Sequence, residues 1–166
     1  MAVQMDLIVP PAIMGFIIIL VFSVNSFILE TSVDNRLIYE MQNFADVSVV
    51  LLQDELRSLK SIEEFTDSTL RFTSTDEETI SIYREGRNLN IARHSTVTSV
   101  SDTLAHAARL ASLSFTPQEL VGSVPTLLHV RVVTESTADQ QVGADNGNRI
   151  RAYAEKQVYL RNIYYE

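Results

Sequence analysis

The chain contains no cysteine, which excludes disulfides, thiolate metal sites and cysteine nucleophiles and leaves the redox compartment open. It also lacks a basic cluster: Asp+Glu 21 outnumber Lys+Arg 13, for a net charge of −8. Phosphate binding needs Lys and Arg concentrated on one face, so nucleic acid is not an expected partner. No G-x-S-x-G, P-loop or G-x-G-x-x-G occurs, which removes the nucleophile elbow and the phosphate cradle. His94, His106 and His129 are far apart in sequence, and none stands in an H-x-x-x-H or H-E-x-x-H spacing that would bring two imidazoles to one metal. The residues thus offer no catalytic constellation, metal centre or cofactor site, and a non-enzymatic protein is expected.

Charge is missing altogether between Asp6 and Glu30. The intervening segment, LIVPPAIMGFIIILVFSVNSFIL from Leu7 to Leu29, is long enough as a helix to cross about 30 Å of hydrocarbon at about 1.5 Å per residue. A cleaved signal peptide fits poorly: MAVQMD has no Lys or Arg, the apolar stretch is too long, and NSFILETS offers no small-x-small site. A membrane anchor over residues 1–29 is the better reading. Pro10 and Pro11 suit a first helical turn, where a missing N–H costs nothing, so the span is expected to begin there. The first basic residues, Arg36 and Arg57, both follow the span, and charge alone favours a cytoplasmic C-terminal domain.

Neither Pro nor Gly occurs from Thr31 to Ser61. Leu37, Met41, Phe44, Leu52, Leu56 and Leu59 recur at helical spacing, with Glu40, Gln42, Asp46, Asp54 and Arg57 on other faces. This predicts an amphipathic helix over residues 30–62 that continues the span, as one rod from Pro11 to about Lys60, on the order of 75 Å long. Its apolar stripe can be covered by the chain's own domain or by other copies, and different turns can do both.

Beyond Ile62 the period drops to two. Leu70–Ser74, Thr79–Tyr83 and Asn88–Ala92 alternate in polarity and predict a three-strand meander. A short helix is expected over Thr103–Leu110, then a strand over Ala111–Thr116 stopped by Pro117. Leu127–Thr134 is the strongest strand signal. Residues 135–149 read as a polar loop, and Ala152–Arg161 closes the sheet. The expected fold class is α+β: the long N-terminal helix packed on one antiparallel sheet of five or six strands, with a sheet domain over residues 63–166. Asp76-Glu77-Glu78 reads as a solvated turn. Ala144-Asp145-Asn146-Gly147-Asn148 carries oxygen donors around a Gly but lacks the spacing of an EF-hand, and an Asn-Gly turn explains it better.

This order of elements resembles type IV pilins and the minor pseudopilins of type II secretion. Three segments carry the likeness: LRFTSTDEETISIYREGRNLNIAR is similar to that family's strand pair, LAHAARLASLSFT to its short helix leading into a strand, and LLHVRVVTES with AYAEKQVYLRN to its last two strands. The family's cleavage-site motif, Gly followed by Phe-Thr-Leu-Ile-Glu, is not present; Gly15-Phe16 imitates its first step, but Leu20 stands where the glutamate belongs. If the mature chain begins at Ala2, Asp6 falls where pilins hold that glutamate. The resemblance then implies that Asp6 pairs with the N-terminal ammonium of a neighbouring subunit, since a carboxylate drawn into an apolar bundle is costly unless paired. An interfacial aspartate at the membrane edge is the plain alternative.

The resemblance further implies a structural subunit of a pilus- or pseudopilus-like filament or secretion assembly. Such a subunit is anchored in the cytoplasmic membrane by one pass, with the domain after Glu30 outside the cytoplasm. Its partners are membrane lipid and other pilin-like subunits, and its helix packing runs through Leu37, Met41, Phe44, Leu52, Leu56 and Leu59. A single-pass accessory subunit of another membrane complex, which binds a partner through its sheet domain, is the second reading.

Overall fold

A computed structural model describes residues 2–95, 97–121, 124–137 and 149–161, with side chains from Pro10 onward except those of residues 119–121 and 124. One helix, α1 (Ala2–Arg57), is followed by eight antiparallel strands: β1 (Leu59–Phe65), β2 (Thr69–Ser74), β3 (Glu78–Glu85), β4 (Asn88–Ser95), β5 (Ser101–His106), β6 (Leu110–Val121), β7 (Val124–Glu135) and β8 (Arg151–Tyr159). The α+β class holds. The chain divides into two compact units, Met1–Leu37 and Ile38–Glu166.

In the first unit the helix starts at Ala2, so Pro10 and Pro11 lie inside it rather than at its first turn. Their missing N–H groups are those that would bond the carbonyls of Asp6 and Leu7, four residues back, and each interior proline costs a helix about 3 kcal/mol. Every described side chain from Pro10 to Leu29 is exposed or part-exposed.

In the second unit α1 ends at Arg57, earlier than expected. Ser58 closes the last turn: its amide and hydroxyl both donate to the Glu55 carbonyl, at 3.1 Å and 2.8 Å. Leu59, at i+3 from Leu56, mimics another helical turn, yet its full burial comes from its place in β1. Two register shifts let β1 bend along β2.

The strands form two sheets, ordered β1-β2-β3-β4-β5 and β6-β7-β8, in place of the single sheet expected. The β3–β4 hairpin turns at Gly86, whose φ of 61° suits a residue without Cβ. Residues 103–106 pair with β4 as part of β5 instead of forming a helix; an unpaired β4 edge would leave its backbone donors and acceptors to water. β6 runs through Pro117, because an edge strand tolerates a missing N–H and the register shifts just after it.

Ala45, Val49, Leu52 and Leu56 of α1 pack into one core with Leu70 and Phe72 of β2, Ile80 and Ile82 of β3, Leu89 and Ile91 of β4, Phe115 of β6 and Val130 and Val132 of β7. Arg109 stands between the two sheets at φ 50°, a conformation that L-residues rarely adopt. Its carbonyl accepts from the Glu135 amide at 3.0 Å, its guanidinium meets Glu40 at 3.2 Å, and it lies 5.2 Å from the centre of the Phe44 ring.

Candidate functional site

α1 is long and apolar enough to cross a membrane. Phe16, Met14, Ile19, Phe22, Phe27 and Leu29 are all more than half exposed, and Phe16 reaches 75 %. Exposing such side chains to water costs about 1.5–3 kcal/mol each relative to burial, so this stretch needs an apolar surrounding that the chain does not supply. Asp6 lies in the helix backbone, and its side chain falls outside the described residues.

The six side chains singled out for helix packing divide among different positions. Met41, Leu52 and Leu56 are fully buried, and Phe44 is part-buried beneath Arg109. Leu37, the last residue of the first unit, is 9 % exposed. Leu59 belongs to β1. Polar bonds fix the inner face of residues 38–57: the Thr134 hydroxyl donates to the Met41 carbonyl at 2.8 Å, and Arg93 of β4 pairs with Glu55. That hydrogen bond is the chief cause that raises the Arg93 pKa above the ordinary guanidinium value. The opposite face exposes Tyr39, Val47 and Val50. Sequence reasoning missed this second apolar band, although Tyr39, Val47 and Val50 fall within about a quarter-turn of one another at 3.6 residues per turn.

A second feature ties the end of β7 to the start of β8. The Glu135 carboxylate, 9 % exposed, accepts from Arg149 at 2.5 Å and from Arg151 at 2.6 Å. Arg87 donates to the carbonyls of Glu135 and Ser136, and the Ser136 amide bonds the Ile150 carbonyl at 2.9 Å. The Arg149 bond, then the Arg151 bond, holds the Glu135 carboxyl below the usual carboxylate range against the opposing effect of burial. The Ala144–Asn148 oxygen-donor motif lies outside the described residues.

The histidines are dispersed. The His94 Nδ1 shares a 2.8 Å hydrogen bond with the Ser101 hydroxyl, the His129 Nε2 lies 3.4 Å from Glu155, and the His106 Nε2 is buried without a partner among the described residues. Among those residues no group of three or more His, Asp or Glu is placed to hold a metal ion. The arrangement offers an unburied apolar helix and a sheet domain that covers one face of the helix's continuation. No family model, curated protein or solved structure matches this chain.

Proposed function

We propose that this protein is a non-enzymatic structural subunit of a pilus- or pseudopilus-like assembly, inserted in the cytoplasmic membrane by α1 and carrying its sheet domain outside the cytoplasm. One observation carries the reading: in a single helix, residues 10–29 leave every apolar side chain unburied, whereas Met41, Leu52 and Leu56 sit in the chain's own core. A helix built this way supplies two services at once, an apolar surface for lipid and for neighbouring helices along residues 10–29, and core side chains for a folded head along residues 38–57. The exposed Tyr39, Val47 and Val50 give other subunits a further place to pack. The resemblance of the strand segments to minor pseudopilins supports the same reading.

Asp6 is the residue that distinguishes an assembly subunit from a simple anchor. In an assembly its carboxylate meets a neighbour's ammonium away from water, and removing it leaves that ammonium unpaired at a cost of several kcal/mol per contact. Asp6→Asn is therefore expected to insert normally but to be lost from detergent-stable assemblies, while Asp6→Glu is retained. Equal recovery of wild type and Asp6→Asn at equal membrane level would overturn the reading and favour an accessory subunit held by its head domain.

A further inference from the structure

We infer that Asn25 joins the membrane span of this chain to that of a second copy, in a parallel, in-register pair held by reciprocal hydrogen bonds between the two side-chain amides. The inference rests on membrane insertion by α1 as proposed above and is independent of the Asp6 contact.

Asn25 is the one carboxamide in the uncharged run from Leu7 to Leu29, whose middle residue is Ile18. Along a helix the two positions are about 10 Å apart. Half of the hydrocarbon layer measures about 15 Å, so Asn25 lies inside it. Its side chain does not reach back to the nearer boundary. Every Cα–Cβ bond in a helix tilts toward the N-terminus, which aims the Asn25 amide toward the middle of the run and away from Glu30.

The helix itself cannot satisfy this group. A carboxamide carries two N–H donors and an oxygen with two lone pairs. A hydroxyl in a helix finds an acceptor close by, as the Thr31 hydroxyl does on the Phe27 carbonyl at 2.8 Å. The carboxamide oxygen needs a donor instead, and in the helix Ala2–Arg57 the amides around Asn25 are engaged by the carbonyls four residues back. Ser23 and Ser26 stand two and one positions away and so do not face Asn25. The positions that do, three and four residues off, hold Val21, Phe22, Ile28 and Leu29. Lipid tails offer no donor either, and an amide left unpaired among them is costly.

Depth and complementarity identify the partner. Copies inserted in the same orientation hold Asn25 at the same depth, where no other residue of the run carries a carboxamide. Two such amides satisfy one another, because the N–H of each donates to the oxygen of the other. The surrounding side chains suit the pairing. Ile18, Val21, Asn25 and Ile28 repeat at spacings of three and four, the a and d positions of a seam between two helices, with Asn25 at an a position. Ile18, Val21 and Ile28 each leave more than half of their surface exposed, so the chain does not cover this seam itself. A single Asn at an a position fixes the register, since an axial slip would press both amides against apolar side chains. The contact is therefore closed and two-fold. The Asp6 contact joins different heights on two helices and is a separate interface.

The chain has no native cysteine, so single cysteines report the seam by disulfide trapping. The full chain is reconstituted in phosphatidylcholine vesicles at high lipid excess and oxidised mildly, with resistance to carbonate extraction as the measure of insertion. Val21→Cys and Ile28→Cys should each give a covalent dimer, because a parallel, in-register pair brings like positions together. Phe27→Cys, on the far side of the helix, should give at least tenfold less. Asn25→Val in the Ile28→Cys chain should lower the dimer yield about tenfold, the equivalent of about 1.4 kcal/mol. Asn25→Gln, which keeps the amide, should retain more dimer than Asn25→Val. An inserted chain in which Ile28→Cys and Phe27→Cys dimerise equally, or in which Asn25→Val leaves the dimer unchanged, would overturn the inference and leave the Asp6 reading standing. Extraction of the unsubstituted chain by carbonate would overturn membrane insertion, and the inference with it.

Discussion

The hydroxyl of Thr134, in the central strand of the three-stranded sheet, donates to the main-chain carbonyl of Met41 in the helix at 2.8 Å, and both residues are fully buried. Helix and strand are thus joined by a polar bond inside an apolar layer. The Met41 carbonyl keeps its own helical partner when Thr134 is removed, so it is not orphaned. Thr134→Val, which preserves shape, is therefore expected to cost only about 1 kcal/mol. Thermal unfolding of the full chain in detergent should show a modest drop in Tm, and an unchanged midpoint would mean that the bond contributes nothing net.

The two faces of residues 38–57 should respond differently to truncation of side chains. Leu52 is fully buried in the core cluster, and Leu52→Ala is expected to cost about 2–5 kcal/mol. Val50 is 55 % exposed, and Val50→Ala should stay within about 0.5 kcal/mol. Denaturant midpoints for the two variants test the assignment of faces, and comparable losses would contradict it.

How far the sequence reveals these features depends on what each signal measures. Met41, Leu52 and Leu56 announce a buried helical face because burial on a helix repeats every three or four residues. That same rule hides the helix end, since Leu59 keeps the spacing while its burial comes from β1. Alternation finds β2 and β3, which bury one face each, and β4, where Leu89 and Ile91 alternate with polar residues although Asn90 between them is buried as well. It misses β5, where five of six residues are exposed and no apolar face exists to alternate; Leu104 and Ala105 then favour a helix on propensity alone. The shared face of Ser114, Arg131 and Tyr153 is invisible in the sequence because they come from three strands and are aligned only through pairing register. The N-terminal apolar run is legible from composition alone, since lipid solvation requires only length and the absence of charge.

Acid should open the Glu135 cluster. The bonds from Arg149 and Arg151 lower the folded-state pKa of Glu135 beneath its ordinary value of 4.5, so the folded state binds its proton less readily than the unfolded state does. Stability from this group is fully present above the ordinary carboxylate pKa and is lost as pH falls through the lower folded value. Unfolding midpoints should therefore be flat from neutral pH down to about pH 5 and decline below it. Glu135→Gln should be destabilised at neutral pH, because two guanidinium groups lose their carboxylate, and should show a shallower acid decline. An acid slope unchanged by Glu135→Gln would show that other carboxylates produce it.

Truncation tests how far the sheets depend on residues 38–57 of α1. Removing residues 1–29 discards, from Pro10 onward, only side chains that the chain leaves unburied and keeps the whole core cluster. The remainder, residues 30–166, should be monomeric or weakly associating and cooperatively folded, with mixed helix and strand signal by circular dichroism and a compact elution volume. Removing residues 1–62 has a different effect. It strips Ala45, Val49, Leu52, Leu56 and Leu59 from the core and takes away half of β1, so Leu70, Phe72, Ile82 and Val130 lose their cover together. Exposed β-strands with a continuous apolar face associate edge to edge and face to face. The shorter fragment should therefore aggregate at concentrations where the longer one stays dispersed. A soluble fragment 63–166 with a sharp unfolding transition would mean that the two sheets close a core without the helix, and that Met41, Leu52 and Leu56 serve a purpose other than folding the head domain.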